Sequence, residues 1–129
     1  MQVTRLLAVR HGETAWNADG RLQGHLDIPL NDQGLWQAER TGAALAEESI
    51  GAIYASDLQR AWQTAQAIAQ AQAQPPIVQA DERLRERAFG DFQGRLFAEI
   101  EAERPEEARR WRQRDPDFAP TGGGESLIQ

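Results

Sequence analysis

The 129-residue chain contains no cysteine and no lysine, and only two histidines. No cysteine means no disulfide framework, no thiolate zinc site and no cysteine nucleophile. Two histidines are too few for most metal clusters, and no group of carboxylates has metal-ligand spacing, so neither a metal nor any other cofactor is expected. The chain also lacks an apolar run of about 18 residues, and Met1-Gln2-Val3-Thr4-Arg5 is not the start of a signal peptide. A soluble, cytoplasmic chain with no membrane partner is the expectation. A net charge of −6 argues against a nucleic-acid partner, because binding the phosphate backbone needs a basic face. All 14 basic residues are arginine, whose planar fork suits a phosphate, so a local arginine pocket is compatible with an acidic chain. Catalysis has to run on histidine, arginine and carboxylates.

What is present reads as one globular domain spanning residues 1–129, with an ordinary 40% hydrophobic and 26% charged content. Residues 4–10, Thr-Arg-Leu-Leu-Ala-Val-Arg, hold a nearly continuous apolar run, Leu6 to Val9, in a segment of strand length, which predicts a strand buried on both faces. Residues 12–31 are polar and turn-rich and predict a long surface loop of the functional kind. Asn31 is placed to cap a helix to about residue 48, with Leu35, Ala38, Gly42 and Leu45 on one stripe. Residues 51–56 predict a second strand. Ser56 and Asp57 can both cap a helix to about residue 72, whose buried face carries Leu58, Ala61, Ala65 and Ile68. Pro75-Pro76 ends it, and residues 77–80 predict a third strand. A second irregular stretch, 81–94, precedes a helix near 96–103, a helix restarted at Pro105 that runs to about 114, and a turn-rich tail. Strand, loop, helix, strand, helix, strand is the order of an α/β sheet with helices on its faces.

Ligands of open α/β sheets bind beyond the carboxyl ends of the strands. The first predicted strand ends at Arg10-His11-Gly12 and the second at Ser56-Asp57, with Arg60 one helical turn on. If these strands are parallel neighbours, two arginines, one histidine and helix N-terminal amides share a pocket suited to an anion. A neutral imidazole at His11 is a good nucleophile, and the two guanidinium groups can spread over phosphoryl oxygens in the transition state. Glu86, in Leu84-Arg85-Glu86-Arg87, is the candidate to protonate a leaving alkoxide and then to activate water. The same charged stretch, with Asp81, Glu82 and Arg83, also reads as a solvated turn.

Arg10-His11-Gly12-Glu13-Thr14 with Asn17 resembles the signature of the histidine phosphatase superfamily, the phosphoglycerate mutase-like family. The likeness continues in order through Gln23-Gly24 with Asp27, Pro29 and Leu30; Gly34 with Gln37-Ala38; Ser56-Asp57-Leu58 with Arg60-Ala61 and Thr64-Ala65; Leu84-Arg85-Glu86 with Phe89-Gly90 and Gly94; and Gly124-Glu125-Ser126. It implies a three-layer, mainly parallel central sheet with helices on both faces. It also implies a phosphohistidine at His11, Arg10 and Arg60 as phosphate clamps, Glu86 as proton donor, Asn17 as a phosphate or substrate contact, and Gln23 and Gly24 shaping the rim. The function implied is metal-independent hydrolysis of a small phosphate monoester. Members of the family also carry a second histidine, followed by glycine, on a later strand beside the first. The chain stops at Gln129 before such a strand, and His25 does not match it, so a fragment or a natural truncation is expected. The resemblance further implies an exposed edge on strand 4–10, open to pairing with another chain.

Two other functions stay open. A mutase would return the phosphoryl group to a second hydroxyl of the substrate, and a non-catalytic remnant would only bind phosphorylated ligands. The pattern Phe89-Gly90-Asp91-Phe92-Gln93-Gly94 running straight into a helix resembles the phosphatase branch. Elsewhere bland roles are expected. His25 reads as a loop residue facing solvent, Glu13 as a brace for its loop, and Trp16, Trp36, Trp62 and Trp111 as packing residues, with Trp16 also placed to line the pocket. Arg109, Arg110, Arg112 and Arg114 read as a helix face offset by Glu101, Glu103, Glu106 and Glu107.

Overall fold

The computed structural model describes residues 3–128; what was expected of Met1, Gln2 and Gln129 lies outside them. In chain order the elements are α1 (Ala15–Asp19), α2 (Asp32–Ala44), β1 (Ile53–Ala55), α3 (Gln59–Gln70), β2 (Val78–Ala80), α4 (Phe97–Glu103) and α5 (Pro105–Arg112). Single turns of tighter 3-10 helix lie at Glu82–Leu84 and Gly90–Phe92. The strands β1 and β2 are parallel, with Ile53 opposite Val78 and Ala55 opposite Ala80. Helix α3 connects them, as a parallel pair requires, and packs on both.

The core has two parts. Ala55, Ala65, Ala69 and Val78, with Ile53 and Trp62, join the strands to α3. Phe89, Phe92, Ile100, Ala108 and Phe118, with Leu22, Phe97 and Trp111, form an aromatic cluster under α4 and α5. Trp111 stands edge-on to Phe89 and Phe92, at 4.9 and 5.4 Å between ring centroids, the preferred geometry for such pairs. Trp62 and Trp111 are thus packing residues.

Residues 4–10 correct the strand reading. Among the described residues they join no ladder, and the segment is exposed, Leu6 at 82%. An apolar run becomes a buried parallel strand only where neighbours supply both the ladder and the cover. Here a cleft of about 1520 Å³ separates the run from β1 and α3. The expected parallel pairing of the first two strands is therefore absent among the described residues, and the described sheet is β1 with β2.

Other elements shift for local reasons. The loop 12–31 contains α1, started by a capping box in which the Thr14 hydroxyl accepts from Asn17 N and the Asn17 side chain accepts from Thr14 N. Helix α2 is capped by Asn31, whose side chain accepts from Gly34 N. It stops at Ala44, four residues early, and its next carbonyl, on Leu45, is taken by the Gln72 amide at 2.9 Å. Its buried stripe is Gly34, Ala38 and Gly42, and Leu35 is left exposed. The small residues win because α2 lies close against α3: a Cβ on Gly42 would sit 2.8 Å from the Ala67 carbonyl oxygen. Asp57 does not cap α3; it pairs with Arg85 at 2.5 Å, while Ser56 Oγ accepts from Leu58 N. The first amide of α3, on Gln59, is capped instead by Asp27 Oδ1 at 2.7 Å. The arginines of α5 are offset by carboxylates, Arg109 by Glu106, Arg110 by Asp115 and Arg112 by Glu101.

Candidate active site

The segment His11–Thr14 runs directly over the first turn of α2. A Cβ on Gly12 would lie 2.5 Å from the Gly34 carbonyl oxygen, and one on Gly34 would collide with the Glu13 carbonyl oxygen. Two glycines thus let the backbones touch. Hydrogen bonds then fix the segment from three sides. Gly12 N donates to Thr64 Oγ1 on α3 at 3.1 Å, and Thr64 in turn donates to the Arg60 carbonyl. Glu13 N donates to Gln37 Oε1 on α2 at 2.8 Å. Glu13 itself braces the loop: its carbonyl accepts from Asn31 N and its carboxylate from Asn31 Nδ2.

The His11 ring is half-buried, with Nδ1 2.6 Å from the Gly12 carbonyl oxygen. A carbonyl only accepts, so Nδ1 carries the proton and Nε2 keeps its lone pair. Burial pushes the imidazole pKa below its ordinary value of 6.5. The Gly12 hydrogen bond and Glu86 oppose this shift, and the nearby charges of Arg60 and Arg10 add to it. The ring is therefore neutral at neutral pH.

Arg60 lies in the first turn of α3 and is 2% exposed. Its two terminal nitrogens donate to the carbonyls of Leu26 and Gly24, each at 2.7 Å. Two of its five N–H groups are thereby committed to the loop. Burial lowers its pKa, with Glu86 and Asp27 acting against the shift, and an arginine remains charged throughout. Arg10, His11, Arg60 and Glu86 all line the large cleft, with Arg10 and Glu86 exposed to it. A smaller recess of about 330 Å³ is lined by Arg10, His11, Gly12, Glu13 and Asn17. With Asn17 Oδ1 held by Thr14 N at 3.0 Å, the amide nitrogen of Asn17 is the donor left to face that recess.

Gln23 and Gly24 line neither cavity; they hold the loop beneath. Gln23 is buried and accepts from the Thr14 hydroxyl at 2.7 Å. Gly24 has φ +56°, a left-handed conformation, and its carbonyl receives Arg60. Trp16 also stays out of both cavities and covers Gly94, whose Cβ would meet its ring at 3.1 Å. His25 faces Glu125 at 3.5 Å. Thr64, Gln37 and Asp27 fall within the segments of the family resemblance, but the supporting roles they take here come from partners distant in sequence. For Thr64 the available signal is its place four residues after Arg60, on the same buried face of α3. Among the described residues no group of three or more histidines and carboxylates could hold a metal ion. No helix among them is long and apolar enough to cross a membrane.

A histidine–glycine turn seated on two helices beside parallel strands defines a class, and the chain belongs to the histidine phosphatase superfamily, branch 1, whose family model matches residues 6–129. It is 46% identical over 123 residues to phosphoglycerate mutase-like protein 4 of Arabidopsis thaliana, covering 95% of this chain and 53% of that protein. Over 129 residues it is 40% identical to a metal-independent phosphoserine phosphatase of Arabidopsis thaliana, covering 99% of this chain and 54% of that protein. A mycobacterial glucosyl-3-phosphoglycerate phosphatase solved in complex with VO3 superposes with a TM-score of 0.82 at 38% identity, over 92% of this chain and 57% of that one. The fold is the α/β fold of this superfamily, and the chain spans about half the length of the curated relatives it matches.

Proposed function

We propose that this chain carries the nucleophilic half of a phosphomonoesterase site that works through a phosphohistidine at His11. The observation that carries the proposal is the bond from His11 Nδ1 to the Gly12 carbonyl. It leaves Nε2 with a lone pair in a cleft shared with Arg10, Arg60 and Glu86. Nε2 attacks phosphorus and the ester P–O bond breaks. Glu86 gives its proton to the leaving alkoxide, while Arg10 and Arg60 take the charge spreading over the phosphoryl oxygens. Water then loses a proton to the Glu86 carboxylate and attacks phosphorus, and the N–P bond breaks. Asn17 supplies a further donor to the phosphoryl group, and the loop at Gln23 and Gly24 keeps Arg60 in place. The substrate class is a small phosphate monoester, in line with the relatives named as phosphatases of phosphoserine and of glucosyl-3-phosphoglycerate.

The test is hydrolysis of p-nitrophenyl phosphate beside isomerisation of 3-phosphoglycerate, with acid-labile, base-stable phosphate label sought on His11. Hydrolysis with label on His11 is expected. Robust isomerisation would favour the mutase reading, and phosphate binding without label would reduce the chain to a binding module. The exposure of Leu6, Leu7 and Val9 supports a second proposal, self-association through segment 4–10, which a concentration series in sedimentation velocity tests.

A further inference from the structure

One segment reaches the cleft at Glu86, another lies behind Arg60, and one side-chain oxygen joins them. Segment 86–89 carries Glu86, and segment 24–26 presents the two carbonyls that hold Arg60. Gln93 Oε1 accepts from Phe89 N and from His25 N, both at 3.1 Å. The approach is close enough that a Cβ on Gly24 would collide with that same oxygen, which gives the glycine there a second reason beyond its positive φ. Glu125 repeats the link from another direction: its Oε1 accepts from Ala88 N at 3.1 Å and lies 3.5 Å from His25 Nε2. Gln93 follows the Gly90–Phe92 turn, and Phe92 is fully buried in the aromatic cluster, so the residue bearing the amide adjoins the packed core.

We propose that Gln93 is a positioning residue whose amide oxygen sets the spacing between the segment bearing Glu86 and the segment that holds Arg60. The proposal rests on the phosphatase reading for its catalytic consequence and on geometry alone for the link itself. Both backbone amides converge on one acceptor, so removing it leaves both without a partner at once, with Glu125 as the remaining link between the segments. A carboxylate in its place accepts the same two bonds.

The test compares Gln93→Met with Gln93→Glu in the 129-residue chain. By amide hydrogen exchange, Gln93→Met is expected to accelerate His25 and Phe89 together by about tenfold or more, as the loss of a bond of about 1.4 kcal/mol at each amide implies. Amides of α5 should keep their wild-type rates, and Gln93→Glu should restore protection at both positions. In turnover, an alkyl phosphate needs the Glu86 proton for its alkoxide, whereas p-nitrophenolate leaves without one. Gln93→Met should therefore slow glycerol 3-phosphate hydrolysis about tenfold more than p-nitrophenyl phosphate hydrolysis. Independent exchange at the two amides, equal loss with both esters, or failure of Gln93→Glu to restore protection would each overturn the proposal. Should the wild-type chain hydrolyse neither ester, the phosphatase reading falls, and the exchange measurement decides the role of Gln93 by itself.

Discussion

Leu6 and Val9 stand in solvent, while the polar Thr14, Gln23 and Arg60 are buried. The apolar segment 4–10 meets the polar loop 11–31 at His11, and each reverses what its composition alone suggests. Thr14, Gln23 and Arg60 can be buried because they hydrogen-bond within or onto the loop, and among the described residues no buried side-chain nitrogen or oxygen lacks a partner. Segment 4–10 has no ladder, so its side chains gain little by being apolar. Burial in this molecule follows the supply of hydrogen-bond partners as much as hydrophobicity.

Breaking the polar side should have the largest consequences. His11→Ala removes the nucleophile, and turnover is expected to fall to background with no phosphate label, while circular dichroism shows an intact fold. Arg60→Ala empties a buried position and orphans the carbonyls of Gly24 and Leu26. A loss of about 2–4 kcal/mol in urea unfolding is expected, with activity down about 10²–10³-fold, and Arg60→Lys should recover little of either because it lacks the fork.

Proton linkage sharpens the same contrast. The pKa of His11 in the folded chain lies below 6.5, so the unfolded chain binds more protons between the two values. This contribution to stability is fully present above pH 6.5 and is lost as pH falls through the folded value. The acid limb of kcat/KM should accordingly lie below pH 6.5. A pH–rate profile with its acid limb above 6.5 would contradict the burial described for the ring. The smallest effect is expected on the apolar side. Leu6→Asp should change stability by less than about 0.5 kcal/mol, since a surface position away from any specific feature tolerates substitution. Self-association seen in sedimentation should decline in that variant.

Signals carried by neighbouring residues were legible in the sequence. The Asn31 cap, the restart at Pro105 and the strand before Ser56 each depend on residues within one turn, and each appears within a few positions of its expected place. His11, Arg60 and Glu86 line one cleft, although the parallel pairing of the first two strands from which the sequence argued their approach is absent among the described residues. What depends on distant partners was not legible. Asp27 rather than Asp57 caps α3 because the loop carrying it folds across a helix 32 residues later. The stripe Gly34, Ala38, Gly42 outweighs Leu35 because backbone closeness between α2 and α3 is a property of the pair. Segment 4–10 has strand composition, but composition does not name a neighbour.

The two bonds that bury Arg60 have a thermodynamic consequence. They engage two of its five donors but leave its charge without a carboxylate at ion-pair distance among the described residues, with Glu86 and Asp27 acting only from further off. The chain thus holds a desolvated cation, and under the proposed function its counter-ion is the phosphate of the substrate. Occupancy and folding are then linked. An anion that enters this site from the folded state alone raises the unfolding free energy by RT ln(1 + [L]/Kd), about 2.7 kcal/mol at a hundredfold excess over Kd. Inorganic phosphate should therefore raise the melting temperature of this chain more than an equal ionic strength of chloride, and Arg60→Ala should abolish the difference.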